Sequence, residues 1–248
     1  MFILIRYLLA MVLLLVSSSA MSETGSNLFT LSMPTVDAEP ESVSNSLKIL
    51  ALLTVLSLAP AFLMVATSFT RIIIVLSMLR HAFGMPSTPP NTVMIGLALL
   101  LTLFTMTPVL DQIQEHALQP YIDKTIDDVT ALENASVPIR EFMISQTRDK
   151  DIALVLELSG DDVPNSVNDV SMTQLVTAFL LSELQTAFQI GFIIFLPFLA
   201  IDLIVASILM SMGMMMVPPM TISLPIKILM FVLIEGWVLV AQALVSSF

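Results

Sequence analysis

Apolar residues in this chain run in long uninterrupted blocks, separated by two polar stretches. Ile49 to Thr70 carries no charge over 22 residues, enough to cross ~30 Å of hydrocarbon, with Pro60 as a kink. It belongs to a longer block, Leu47 to Phe83, whose second half is interrupted by Arg71, Arg80 and His81. Asn91 to Leu110 is a second uncharged block. A third runs for about forty residues from Thr173 to Pro218, punctuated by Glu183, Gly191, Pro197 and Asp202. That exceeds one simple span of ~20 residues, so it predicts either an unusually long kinked helix or a helix pair broken near Pro197. The last block, Ile222 to Phe248, carries Pro225, Lys227, Glu235 and Trp237 and predicts a fourth span.

The polar stretches complete the outline. Met1 to Ala20 reads as a secretory signal peptide: Arg6 in a basic n-region, Tyr7 to Val16 as the apolar core, and small residues up to Ala20. Residues 21–46 form a polar leader, expected to be exposed and poorly ordered. Asp111 to Met172 differs in kind, with thirteen acids against Lys124, Arg140, Arg148 and Lys150. Within it the run from Ser136 through Pro138 to Glu141 predicts a helix start, with Ile139, Phe142 and Met143 on one buried face. A second short helix, Asp151 to Leu158, is expected to stop at Ser159-Gly160. No strand pattern occurs, so this segment predicts a small helical insert. The organisation is then 1–20 signal peptide, 21–46 leader, 47–110 first apolar hairpin, 111–172 insert and 173–248 second apolar hairpin.

Composition changes the picture in one direction. Charged residues make up 12% of the chain and hydrophobic ones 56%, against about 25% charged in soluble proteins. That places the chain in the membrane class. Of the net charge of −11, the insert holds −9. The only charges between the first two spans are basic, which marks the cytoplasmic side and puts the leader and insert in the periplasm. Cysteine is absent and His81 and His116 are the two histidines, so no thiolate or His-rich metal centre is expected.

Six of the 18 methionines, Met210, Met212, Met214, Met215, Met216 and Met220, fall between Leu209 and Pro225. Gly213, Pro218 and Pro219 break the helix there. Unbranched thioethers adapt their shape at little cost, which suits a surface closing around something variable. The plainer alternative is a Met-rich packed hairpin. Arg71, Glu183, Asp202 and Glu235 lie in or beside apolar segments, where a charge costs ~2.5–3.5 kcal/mol and usually meets a partner or a water-filled path. They serve either as paired structural glue or as the lining of a polar route, and spacing does not say which of them meet.

An enzyme is not expected: the chain has no zinc-protease HExxH, no phosphate loop and no nucleophile elbow. No basic stripe for nucleic acid is present, and neither a cofactor nor a small-molecule substrate is implied. A small secondary transporter or ion-channel subunit using intramembrane carboxylates is the rival reading, although such folds usually show internal repeats and more spans.

The stretches SFTRIIIVLSMLRHAFG, PPNTVMIGLALLLTLF, PIREFMISQTRDKDIALVLEL and the run from Ser182 through GMMMVPPMTISLPIK to Trp237 resemble the FliP family of flagellar biosynthetic proteins. The resemblance covers the chain from about Leu47 onward. Injectisome relatives tend to carry Ser where Pro218 stands and often lack the leader, so the likeness is to the flagellar branch. It implies an all-α subunit of the type III secretion export gate in the bacterial inner membrane and flagellar basal body. Five copies would form an oligomeric pore with FliR-like and FliQ-like subunits, beside other membrane proteins of the export apparatus, and pass unfolded rod, hook and filament proteins. The resemblance also implies that the complex is lifted largely out of the bilayer plane, so that apolar blocks bury against neighbouring subunits. The gasket that closes the pore would map onto Met210, Met212, Met214, Met215 and Met216.

Overall fold

The computed structural model describes residues 64–85, 87–160, 166–214 and 216–248, with isolated helical positions between 50 and 62. The signal peptide, the leader, Pro60 and Met215 lie outside the described residues, as does much of the first expected span. The chain divides into two compact units, Met1–Leu56 and Ser57–Phe248, and every element below belongs to the second.

That unit is helical, with no strand among the described residues. Helix α1, Phe69–Phe83, ends where Gly84 turns left-handed (φ 82°) and its N–H reaches the His81 carbonyl. Pro90 in an extended conformation starts α2, Asn91–Ile113, whose axis continues through a π-helical turn, Gln114–Leu118, into the short α3, Gln119–Ile122. The helix therefore does not stop at Leu110, where the apolar block ends; it carries on into the acidic stretch.

The insert contributes α4, Asp128–Gln146, and α5, Asp149–Ser159. The helix start expected at Ser136 is corrected. The Asp127 side chain caps α4 by accepting from the Thr130 N–H at 3.2 Å, and Ser136 sits inside the helix, donating to the Glu133 carbonyl. Pro138 is an interior proline and not a first-turn one. Helix α5 ends at Gly160 in the left-handed region, as the Ser-Gly pair predicts.

Helix α6, Met172–Ser211, is one continuous helix of 40 residues with Pro197 inside it. At 1.5 Å per residue it is about 60 Å long, roughly twice the hydrocarbon thickness. Its start is fixed by a capping box, in which the Ser171 and Gln174 side chains each satisfy the other's backbone N–H. The last apolar block, expected as a fourth span, is broken. Instead of one helix it forms α7, Pro219–Leu233, and α8, Gly236–Val245, bent by 65°. Glu235 stands at the bend with φ 52°, and a Cβ on Gly236 would collide with the Phe231 ring, so the elbow requires glycine there. Among the described residues, the helices long and apolar enough to cross a membrane are Asn91–Ile122 and Met172–Ser211, with the bent pair as a third candidate.

Two cores form along α6. One joins Met143, Ile152, Val155 and Leu156 of the insert to Leu175 and Phe179 near its start. The other joins Ile72, Val75, Leu76 and Leu79 of α1 to Ala187 and Phe198, then to Phe231 and Leu244. Where α1 crosses α6, Gly191 is needed: a Cβ there would stand 2.3 Å from Met78 Sδ. The buried positions of α6 follow one seam, Leu175, Phe179, Glu183, Ala187 and Gly191, while Phe188, Phe192, Ile193, Leu203 and Ile204 remain exposed. A wide uncovered apolar face of this kind is a surface built for lipid or for a protein partner.

Candidate functional site: the methionine turn and its charged supports

The turn between α6 and α7 is built by a helix stop and a helix start that leave seven residues, 212–218, between them. Met214 N–H reaches the Leu209 carbonyl at 3.0 Å and Gly213 N–H the Met210 carbonyl at 3.1 Å. With Gly213 at φ 77°, this is a Schellman stop, and it consumes the orphan carbonyls of the helix end. Pro218 then holds an extended conformation (φ −60°, ψ 121°) and Pro219 opens α7, a position where the missing N–H costs nothing. The three residues singled out as breakers thus divide the work: Gly213 closes one helix, and Pro218 and Pro219 prepare the next.

The helix stop is made by backbone groups and needs no side-chain cap. Met210, Met212 and Met214 are exposed, and Met216 is almost fully so at 97%. Met220, just inside α7, lies over Gly84, where a Cβ would approach its methyl to 2.8 Å. The first turn of α7 is thereby seated on the end of α1.

Beneath the turn lies a polar anchor. Lys227 Nζ donates to Asp202 Oδ2 at 2.7 Å and to the Ala82 carbonyl at 3.0 Å. One buried ammonium therefore ties α6 and α7 to the C-terminal end of α1, where the helix dipole favours a cation. The second oxygen of Asp202, Oδ1, is enclosed and has no partner among the described residues. Phe83, Phe198 and Phe231 pack beside the anchor, Phe83 meeting the other two edge-on at 5.0 and 4.8 Å between ring centres.

A second charged centre sits farther along α6. Arg71 and Glu183 are both buried and form a bidentate pair, Arg71 Nε to Oε2 at 2.9 Å and Nη2 to Oε1. The remaining guanidinium protons go to the Ser247 carbonyl at 2.6 Å and the Gln146 amide oxygen at 3.2 Å, and the Phe248 ring stacks 3.9 Å from the guanidinium carbon. The planar fork of arginine suits such a site, which a lysine would leave half-satisfied. In the insert, Asp151 receives the Ser182 hydroxyl and the Arg148 guanidinium. Burial would raise its carboxyl pKa, but these two bonds and the nearby Arg148 and Lys150 charges together outweigh burial and hold it below its ordinary value of 3.8.

The structure thus brings Arg71 to Glu183 and leaves Asp202 for a partner the sequence reading passed over, Lys227. Lys227 is the single basic residue after Lys150, and that isolation in an apolar block was the available signal. Gln146, Ser182 and the Ser247-Phe248 pair were also missed, since each acts through contacts distant in sequence. Glu235 stands apart: its side chain is exposed at the elbow and makes no ion pair among the described residues. No cluster of potential metal ligands occurs among the described residues.

Comparison with known proteins adds the family. The FliP family profile matches residues 52–244. A flagellar biosynthetic protein FliP of Bacillus subtilis is 53% identical over 211 residues, covering 85% of this chain and 96% of its own. That of Pectobacterium carotovorum is 51% identical over 84% of this chain and 81% of its own, and that of Aquifex aeolicus 45% identical over 82% and 86%.

Proposed function

Because this chain belongs to the FliP family of flagellar biosynthetic proteins, we propose that it is a non-enzymatic subunit of the flagellar export gate. In this reading several copies, five by family resemblance, surround a channel in the inner membrane at the flagellar base. FliQ-like and FliR-like subunits complete the assembly, and unfolded flagellar proteins pass through it. The leader and the insert face the periplasm.

The observation that carries the proposal is the methionine turn. Four described thioethers project from a backbone that needs nothing from them, on a base locked by Lys227, Asp202 and three phenylalanines. Brought together around an axis, such turns form a ring of soft apolar side chains. A constriction of that kind excludes water and ions when empty, yet deforms around a chain of any sequence. The exposed face of α6 supplies the surface along which copies would pack.

The native mass of the detergent-extracted protein, produced with and without its FliQ-like and FliR-like partners, tests the reading. A discrete assembly holding several copies of the 27.1 kDa chain is expected. A stable monomer indifferent to partners would contradict it and favour a small transporter using Asp202 and Glu235.

A further inference from the structure

Among the described residues, the same turn gathers most of the exposed sulfur. Cysteine is absent, so thioethers are the chain's whole sulfur chemistry. Met94, Met106 and Met143 are buried within the cores. Met210, Met212, Met214 and Met216 are exposed together within one short stretch, and Met214 and Met216 stand outside regular helix, where no neighbouring helical turn covers them. Met64 and Met220 are exposed as well, Met64 far from the turn in sequence and Met220 on the first turn of α7.

We infer that the turn is a methionine-oxidation site, and that its conversion to sulfoxide by a hydroperoxide opens the seal. The sulfur lone pair attacks the terminal oxygen of the peroxide, forming the S–O bond as the O–O bond breaks. The departing oxygen takes up a proton and leaves as water or an alcohol. The thioether gives up two electrons, and the peroxide is reduced by two. Reaction requires that the oxidant reach sulfur, which the turn permits and the cores forbid. The product is a polar, hydrogen-bond-accepting group where a dry, polarisable one stood. A ring of thioethers excludes water because it offers water nothing, whereas a ring of sulfoxides holds it, and a wetted constriction conducts. Methionine sulfoxide reductases reverse the change. This second half rests on the seal reading above; the chemical half does not.

The experiment treats the assembled complex in liposomes with hydrogen peroxide, maps the added oxygen by peptide mass spectrometry and follows ion flux on the same samples. Sulfoxide is expected in the peptide spanning 210–216 at least about tenfold ahead of the peptides holding Met94 and Met143. Ion flux should rise with it and fall again after methionine sulfoxide reductase. A variant carrying Met210→Leu, Met212→Leu, Met214→Leu, Met215→Leu and Met216→Leu should lose the response to peroxide, whatever its starting flux. Oxidation spread evenly over Met64, Met94, Met143 and the turn would overturn the site while leaving the seal untouched. Complete oxidation of the turn with unchanged flux would overturn both the switch and the seal.

Discussion

At its N-terminal end α6 carries a capping box, the Ser182–Asp151 bond and the Arg71–Glu183 pair, while past the Asp202–Lys227 bond its C-terminal end leads into the exposed methionines of the turn, Met210, Met212, Met214 and Met216. One helix thus joins a region whose geometry is over-determined to one whose geometry is left open. At the first end nearly every polar atom is committed, so a shift of an ångström would strand a charge in an apolar core. At the second the backbone alone is fixed, through Gly213 and Pro218, and the side chains are free to conform to a guest. Lys227 marks the border: below it packing is aromatic and tight, above it the chain is soft. A seal that must yield repeatedly without loosening its frame needs this division.

The sharpest way to break the contrast is at the fixed end. Glu183→Ala leaves the Arg71 guanidinium buried without its counter-ion, and Arg71→Ala does the converse. Either is expected to cost about 3–5 kcal/mol, seen as a collapse in the yield and melting temperature of the extracted protein. A loss below about 1 kcal/mol would mean the pair is not buried in the working molecule. Next comes the crossing of α1 and α6. Gly191→Ala drives a methyl into Met78, whose Sδ and Cβ both stand too near, at an expected cost of about 1–3 kcal/mol. Adding Met78→Ala to Gly191→Ala should recover part of that loss in the same melting assay.

The Asp151 bonds set a smaller, pH-dependent effect. Burial opposes ionisation, but Ser182 and Arg148 hold the folded carboxyl below 3.8, so the carboxylate stabilises the fold at neutral pH. That contribution is lost as pH falls below 3.8 through the folded value. Asp151→Asn should flatten this limb of the stability profile, and Ser182→Ala should flatten it in part. Smallest of all, Met212→Leu, Met214→Leu and Met216→Leu should each leave thermal stability within about 0.5 kcal/mol, because the open end contributes shape and not energy.

The two ends also differed in how much the sequence disclosed. The break in the helix was legible: Gly213 and the proline pair lie close together in sequence, and local backbone chemistry dictates that a helix stops and another starts there. All-helical structure and the close of α5 at Gly160 followed from equally local signals. Arg71 and Glu183 were recognisable as costly charges, but 112 residues separate them, and only folding brings them together. Pro138 misled because a serine-proline run reads as a helix entrance, although an interior proline is tolerated once Asp127 has already capped the helix. The 65° elbow at Glu235 escaped notice because Gly236 sits within an apolar run that hydropathy reads as unbroken.

The most direct test of the soft seal is the ion conductance of the assembled, substrate-free complex in a planar bilayer, with Met210, Met212, Met214, Met215 and Met216 all changed to alanine. The wild type should be silent, and the variant should conduct small ions while its assembly and native mass are unchanged. A variant that assembles normally and stays as ion-tight as the wild type would contradict the soft seal, and the turn would then be a packed hairpin end and nothing more.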